Sequence, residues 1–336
     1  FAETEPVLWS MSAMLESKTH LDELEIKMGL IQLCEALNFV HSTAQLVHLN
    51  LCPSSVMICQ PDWKLAGFAF SVSQAATDQA KAFFDPTPTT SFGSDRPRAT
   101  LANPIDFTRP SLDYLAPEVV FVNQITPAAD MFALGCLIYE LFGLTTDSRT
   151  PKRLLNTSGS VDTYRRNIEE LVPLSMEHIP HGLRRSLEAL LASNPTQRPT
   201  AEELLKSDYF NDTAVKTLQY LSHMNEHDDR SKAEFLKGLK LALGALTISN
   251  KILTTKILPP LIAELRNTIL VPLLLPNIFL IAEMLEQNLN GAAPSRTGTF
   301  ANVIFPALLP IAHIPEPFHI IVILLQRLEF MSKRIP

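Results

Sequence analysis

The sequence predicts a mainly α-helical protein of two domains, and three observations lead there. Apolar residues recur at helical spacing over long stretches, as in Leu24, Met28, Ile31, Leu33, Leu37 and Val40. Extended runs are few and short; the clearest are residues 56–59 and 63–66, parted by Gln60-Pro61-Asp62, which reads as a tight hairpin. Near the end, Lys256-Ile257-Leu258-Pro259-Pro260-Leu261 and Asn302-Val303-Ile304-Phe305-Pro306-Ala307-Leu308 set Pro259 and Pro306 47 residues apart in similar surroundings, a period of stacked helical repeats.

Taken in order, residues 1–9 read as a strand and 21–41 as a helix with a broad apolar stripe. Residues 70–110 are rich in Ser, Thr and Pro and are expected to be a disordered insertion, with Thr87, Thr89, Thr90, Ser91 and Ser94 read as ordinary solvated hydroxyls and a regulatory phosphorylation loop as the alternative. Thr126 is placed to cap a helix with Pro127 at its first position and Gly143 just past its end. The body of that helix, 130–142, is apolar nearly all round, so it has to be buried. Helices follow at 162–171, 182–192 and 201–207, the last opened by the capping box Thr200-x-x-Glu203. A polar break at 225–230 marks the domain boundary, and a second box, Ser231-x-x-Glu234, starts the apolar helices that run to the end. The expected organisation is thus a domain at 1–210, a linker at 211–230 and helical repeats at 231–336, with an irregular helical bundle as the alternative for the last part.

The chemistry-bearing stretch is His48-Leu49-Asn50-Leu51-Cys52-Pro53-Ser54-Ser55-Val56, followed by Trp63-Lys64-Leu65-Ala66-Gly67-Phe68-Ala69. Downstream come Tyr114-Leu115-Ala116-Pro117-Glu118, Asp130-Met131-Phe132-Ala133-Leu134-Gly135 and Asn194-Pro195-Thr196-Gln197-Arg198-Pro199-Thr200. Together these resemble, in order, the H-R-D-L-x-x-x-N loop, D-F-G, A-P-E, helix-start Asp and late R-P arginine of a protein-kinase C-lobe. The resemblance makes His48, Phe68, Glu118, Asp130 and Arg198 structural residues, with Glu118 and Arg198 a buried ion pair and Asp130 a tie to the loop backbone. The working positions are Asn50, Ser55 and Gly67. An amide accepts no proton near neutral pH, a hydroxyl is a poor magnesium ligand, and glycine has no side chain, so neither general base nor metal site is expected. No N-lobe precedes Phe1 in this sequence, so the phosphate-gripping glycine loop and lysine are expected to be missing, no cofactor or metal is assigned, and any ATP-binding site is degenerate.

Composition agrees with a folded protein: 46% apolar and 19% charged over 336 residues. Residues 1–210 carry 16 basic against 25 acidic side chains and 211–336 carry 12 against 10, so neither half has the basic excess of a nucleic-acid binder. Cys34, Cys52, Cys59 and Cys136 lack C-x-x-C spacing and read as reduced thiols. The best membrane candidate, 269–282, is about one turn short of a span and holds Pro272 and Pro276; no transmembrane segment is expected. Without a signal peptide or an initial Met, the chain reads as a fragment or processed form. The closing Lys333-Arg334-Ile335-Pro336 resembles a dibasic coatomer signal but reads as the end of a helix.

A degraded kinase C-lobe joined to HEAT-like helices resembles the SCY-like pseudokinase family, in its clathrin-associated branch. The phrases Glu234-Phe235-Leu236-Lys237-Gly238-Leu239 and Lys256-Ile257-Leu258-Pro259-Pro260-Leu261-x-x-Glu264-Leu265-Arg266-Asn267 add to the motifs above. That resemblance implies a cytoplasmic, noncatalytic scaffold held peripherally on Golgi and endosomal coated vesicles, with clathrin and adaptor complexes as partners. No clathrin-box or N-P-F peptide is present in the sequence, so the partners rest on resemblance alone. The alternatives are a HEAT-type interaction scaffold with another role and a weak atypical Ser/Thr kinase.

Overall fold

A computed structural model of the chain describes residues 9–17, 21–59, 62–76, 110–143, 153–170, 175–245, 248–287, 298–312 and 318–334. They fall into two compact units, Phe1–Asn211 and Asp212–Pro336.

In the first unit, β1 (Trp9–Ser10) runs into α1 (Met11–Glu16), and α2 (Glu23–Asn38) ends in a π-type turn, Phe39–Thr43. α2 opens with a capping box: Asp22 Oδ1 accepts the Glu25 N–H at 2.7 Å and Glu25 Oε2 accepts the Asp22 N–H at 3.2 Å. Then come β2 (Leu46–Val47), β3 (Val56–Cys59), β4 (Asp62–Leu65) and β5 (Val72–Ser73). The antiparallel order is β1-β3-β4 in one sheet, with Val56 opposite Leu65 and Cys59 opposite Asp62; β2 pairs with β5 in the other, Leu46 opposite Ser73. The hairpin is stapled to α2. Gln32 accepts the Trp63 N–H at 2.9 Å and donates to Asp62 at 2.6 Å, while the Trp63 ring covers Gly29 so closely that a Cβ there would lie 2.2 Å from it.

Among the described residues five helices follow in this unit: α3 (Pro117–Val122), α4 (Pro127–Gly143), α5 (Val161–Glu169), α6 (His181–Leu190) and α7 (Ala201–Leu205). α4 is its centre, with every residue from Ala129 to Gly143 buried, and it packs on α6, where Gly135 lets Leu190 and Leu191 approach. Its start differs from expectation in one detail: the Thr126 hydroxyl is buried without a hydrogen-bond partner and caps nothing. The Thr200–Glu203 capping box of α7 is present.

The second unit is helical: α8 (Thr213–Ser222), α9 (Asp229–Ala245), α10 (Asn250–Ile252), α11 (Leu258–Ala263), α12 (Val271–Gln287), α13 (Phe305–Ala312), α14 (Phe318–Gln326) and α15 (Leu328–Ser332). α9 packs on α12, and α12 on α14. The 47-residue spacing has a local structural counterpart. π-type segments occupy Leu253–Ile257 and Phe300–Ile304, and each passes into an α-helix whose second residue is proline, Pro259 or Pro306. A widened turn spares the amide that proline lacks and keeps its ring clear of the preceding carbonyls. Burial repeats too: Leu253, Ile257 and Leu261 match Phe300, Ile304 and Leu308. Among the described residues no helix is long and apolar enough to cross a membrane.

Three boundaries need correction. The stretch 211–230, expected as a linker, contains α8, which buries Val215, Leu218 and Leu221; its amphipathic pattern was hidden by the polar residues on either side. The supposed Ser231 box is not the start of α9, which begins at Asp229. Asp228 takes the capping place, and its hydrogen bonds to Ser231 hold its carboxyl below the usual range. Of the expected insertion at 70–110, residues 72–73 form β5 and 74–76 a 3₁₀ turn, while 77–109, with Thr87, Thr89, Thr90, Ser91 and Ser94, lies outside the described residues. Arg334 closes a helix end, as expected: the residue is 9% exposed, and its guanidinium pairs with Glu286 and stacks on Phe330.

Candidate functional site

Asp130, in the first turn of α4, organises the loop between β2 and β3. Its Oδ2 accepts the His48 N–H and its Oδ1 the Leu49 N–H, each at 2.7 Å, and His41 Nε2 lies 2.8 Å from Oδ2. These bonds hold Leu49 at a φ of 58°, a conformation that is costly for a branched side chain. A carboxylate 1% exposed is therefore fully used as a backbone clamp.

From the clamped loop, His48 reaches across to the turn after β4. Its Nε2 is 2.9 Å from the Ala66 carbonyl oxygen, and its ring meets the Phe68 ring edge-on at 4.7 Å between centroids. Burial pushes the imidazole below its ordinary value, with the nearby Asp130 charge opposing, so His48 is a neutral structural group here.

The working positions converge on one point. Gly67 has φ 79° and ψ 35°, the left-handed region. Asn50 donates from Nδ2 to the Gly67 carbonyl oxygen at 3.1 Å. Ser55 turns back on its own loop: its hydroxyl donates to the Cys52 carbonyl at 2.9 Å and accepts the Cys52 N–H at 3.0 Å. A Cβ on Gly67 would come within 3.0 Å of both Asn50 Nδ2 and Ser55 Cβ. The structure thus brings together all three positions predicted from sequence. They do not fit a magnesium ion: the metal-binding carboxylate position of the motif is glycine, the Asn50 amide nitrogen is bonded to the Gly67 carbonyl, and the Ser55 hydroxyl is spent on backbone. Among the described residues no group of three or more His, Cys, Asp or Glu side chains could hold a metal.

The anchors farther out are intact. Arg198 meets Glu118 in a two-pronged pair, Nη1 to Oε1 at 2.6 Å and Nη2 to Oε2 at 2.9 Å, with side chains 0% and 5% exposed. Arg198 also donates to the Ala128 and Ala192 carbonyls and lies over the Phe132 ring, so its donors are satisfied where water does not reach.

A further polar cluster escaped sequence reasoning. Tyr114 donates to Glu140 on α4, Arg153 contacts Glu140 and Asp113 at 3.4 and 3.5 Å, and Asp113 Oδ1 accepts both the N–H and the hydroxyl of Thr157. Burial pushes the Glu140 carboxyl up, opposed by the Tyr114 bond and Arg153. The available signal was an acid near the end of an otherwise apolar helix. All four cysteines are free, and burial raises the Cys34 thiol to about 12, which leaves it inert.

A protein kinase domain family model matches residues 5–210. The chain belongs to the protein kinase domain family, in its SCY-like pseudokinase branch. It is 29% identical to human SCY1-like protein 2 and 30% identical to the mouse protein of that name, over 99% of this chain and 35% of each relative. It is also 30% identical to the protein kinase domain-containing protein ppk32 of Schizosaccharomyces pombe, over 94% of this chain and 39% of that protein. The SCY-like chain therefore spans about a third of the length of these relatives. A kinase match that starts at residue 5 is partly at odds with the expectation of a C-lobe alone.

Proposed function

We propose that this protein is a noncatalytic kinase-like scaffold that works in clathrin- and adaptor-dependent vesicle trafficking. The observation that carries the noncatalytic part is the closed triad at the working positions: Asn50 bonded to the Gly67 carbonyl, Ser55 bonded to Cys52, and no side chain on Gly67. Phosphoryl transfer consists almost wholly of positioning and of charge stabilisation by carboxylate-held metal, and these residues offer neither base nor ligand. On this reading the domain uses no nucleotide or metal cofactor, and the residues His48, Phe68, Glu118, Asp130 and Arg198 keep a shape rather than a reaction.

The trafficking part rests on the resemblance to the clathrin-associated branch of the SCY-like family, and the similarity to SCY1-like protein 2 along nearly the whole chain supports membership of that family. The second unit supports a scaffold, because two proline-bearing helical segments in a 47-residue register read as HEAT-like repeats, which build extended binding surfaces. The partners on this reading are clathrin and adaptor complexes, and the location is cytoplasmic, peripheral on Golgi and endosomal coated vesicles. Affinity capture with the full-length protein, followed by identification of bound proteins and fractionation of coated vesicles, tests it. Recovery of clathrin or adaptor subunits is expected. A protein that captured neither and stayed wholly off vesicles would leave the HEAT-type scaffold with a different role, the reading favoured by the repeat register alone.

A further inference from the structure

We propose that Asn50 is a latch that keeps the turn at residues 66–68 docked on the loop at residues 48–55 without any metal or nucleotide. In the kinase pattern these two segments carry the ligands of shared metal ions, so ion and phosphates help to join them. Here a direct bond joins them: the Asn50 carboxamide donates to the Gly67 carbonyl at 3.1 Å. The loop side of the bond is fixed by Asp130, which holds the backbone of His48 and Leu49. The turn side is fixed by His48, through the Ala66 carbonyl at 2.9 Å and the edge of Phe68 at 4.7 Å.

The three departures from the kinase pattern act as one set. Glycine at position 67 takes the left-handed turn without strain and leaves no Cβ, so Asn50 Nδ2 and Ser55 Cβ can close to 3.0 Å from where one would be. Ser55, smaller than the amide that the pattern places there, spends its hydroxyl on the Cys52 backbone and leaves the Gly67 carbonyl to Asn50. Ser55 bridges the two segments through its backbone, its carbonyl accepting the Ala66 N–H at 2.8 Å, and Asn50 is the one of the three whose side chain does so. That carboxamide needs its N–H donor, because an aspartate of the same size would set its charge against the Gly67 carbonyl. The consequence is a surface around Phe68, 44% exposed, whose shape does not depend on the nucleotide state of the cell. This deepens the noncatalytic reading and rests on it only in assuming that no ion is needed at the site.

The test is amide hydrogen exchange of residues 67–71 in the full chain, with residues 131–141 of α4 as an internal control for folding. Wild-type exchange is expected to be unchanged by magnesium and ATP. Asn50→Ala and Asn50→Asp should each speed exchange in the turn roughly three- to tenfold, the loss of one hydrogen bond, while α4 stays protected. Exchange in the Asn50 variants within twofold of wild type, or a wild-type turn that becomes protected only with magnesium and ATP, would overturn the latch. If a variant loosens α4 as well, Asn50→Gln supplies the second reading: it retains the donor, so partial protection is expected from it, and protection no better than in Asn50→Ala counts against the latch. Phosphate transfer measured on the same samples separates the two ideas, because transfer by wild type defeats the noncatalytic reading whatever the exchange shows.

Discussion

The loop at residues 48–55 and the anchor at Glu118–Arg198 are both parts of one kinase-like domain, yet they treat charge in opposite ways. At the anchor, and at Asp130, carboxylates are buried and each oxygen is matched to a donor: Glu118 to both terminal nitrogens of Arg198, Asp130 to two backbone amides. At the working positions no carboxylate remains, and the amide, hydroxyl and glycine that stand there satisfy one another or their own backbone. Charge is kept where it holds the fold and is gone where it would hold a metal and a substrate.

That contrast orders the expected effects of substitution. Arg198→Ala strands Glu118 in a dry site and leaves two carbonyls without their donor, so a loss of roughly 3–5 kcal/mol is expected. Chemical denaturation would check it, and an unchanged midpoint would mean that the pair carries no stability. Asp130→Asn should cost about 1.5–3 kcal/mol, because an amide matches one of the two N–H groups and turns its own NH₂ toward the other. Gly67→Ala is expected to cost about 1–2 kcal/mol, from left-handed backbone strain and a methyl pressed on Asn50 and Ser55. If position 67 proved as costly as Arg198, the two regions would not differ in the way proposed.

The smallest effect concerns pH. Burial lowers the His48 pKa in the folded state, so the unfolded chain takes up this proton first as pH falls. Its contribution to stability is present in full above the ordinary imidazole value of about 6.5 and is lost as pH falls through the lower folded value. His48→Gln should therefore flatten the fall in stability between about pH 7 and 5 relative to wild type, whatever it does at neutral pH. Parallel curves for the two proteins would remove His48 from the acid response.

Much of the first domain was legible because its signals are local or strongly patterned. The all-round apolar run 130–142 could only be a central helix, and the hairpin was marked by two short runs around Gln60-Pro61-Asp62. The 47-residue register was visible because proline leaves a mark in sequence and the widened turn before it leaves the same mark in the backbone. What stayed hidden depends on contacts distant in sequence. The use of Gln32 as a staple, the self-bonding of Ser55 and the link from Asn50 to Gly67 bring together residues that no spacing rule connects. α8 reads as a linker in sequence because its apolar face is short and flanked by polar residues, and the cap of α9 goes to Asp228 because a carboxylate competes well with the serine three residues on.

Phosphate transfer from radiolabelled ATP is the most direct test of the claim that this site holds a shape and performs no reaction. Purified protein is expected to incorporate no label with magnesium or manganese, and Asn50→Asp and Gly67→Asp are expected not to rescue it. The first restores a base without a metal ligand; the second adds a carboxylate at a position strained for any side chain and already filled by Asn50 and Ser55. Stoichiometric labelling by the wild-type protein that disappears on Asn50→Ala or Ser55→Ala would contradict the account.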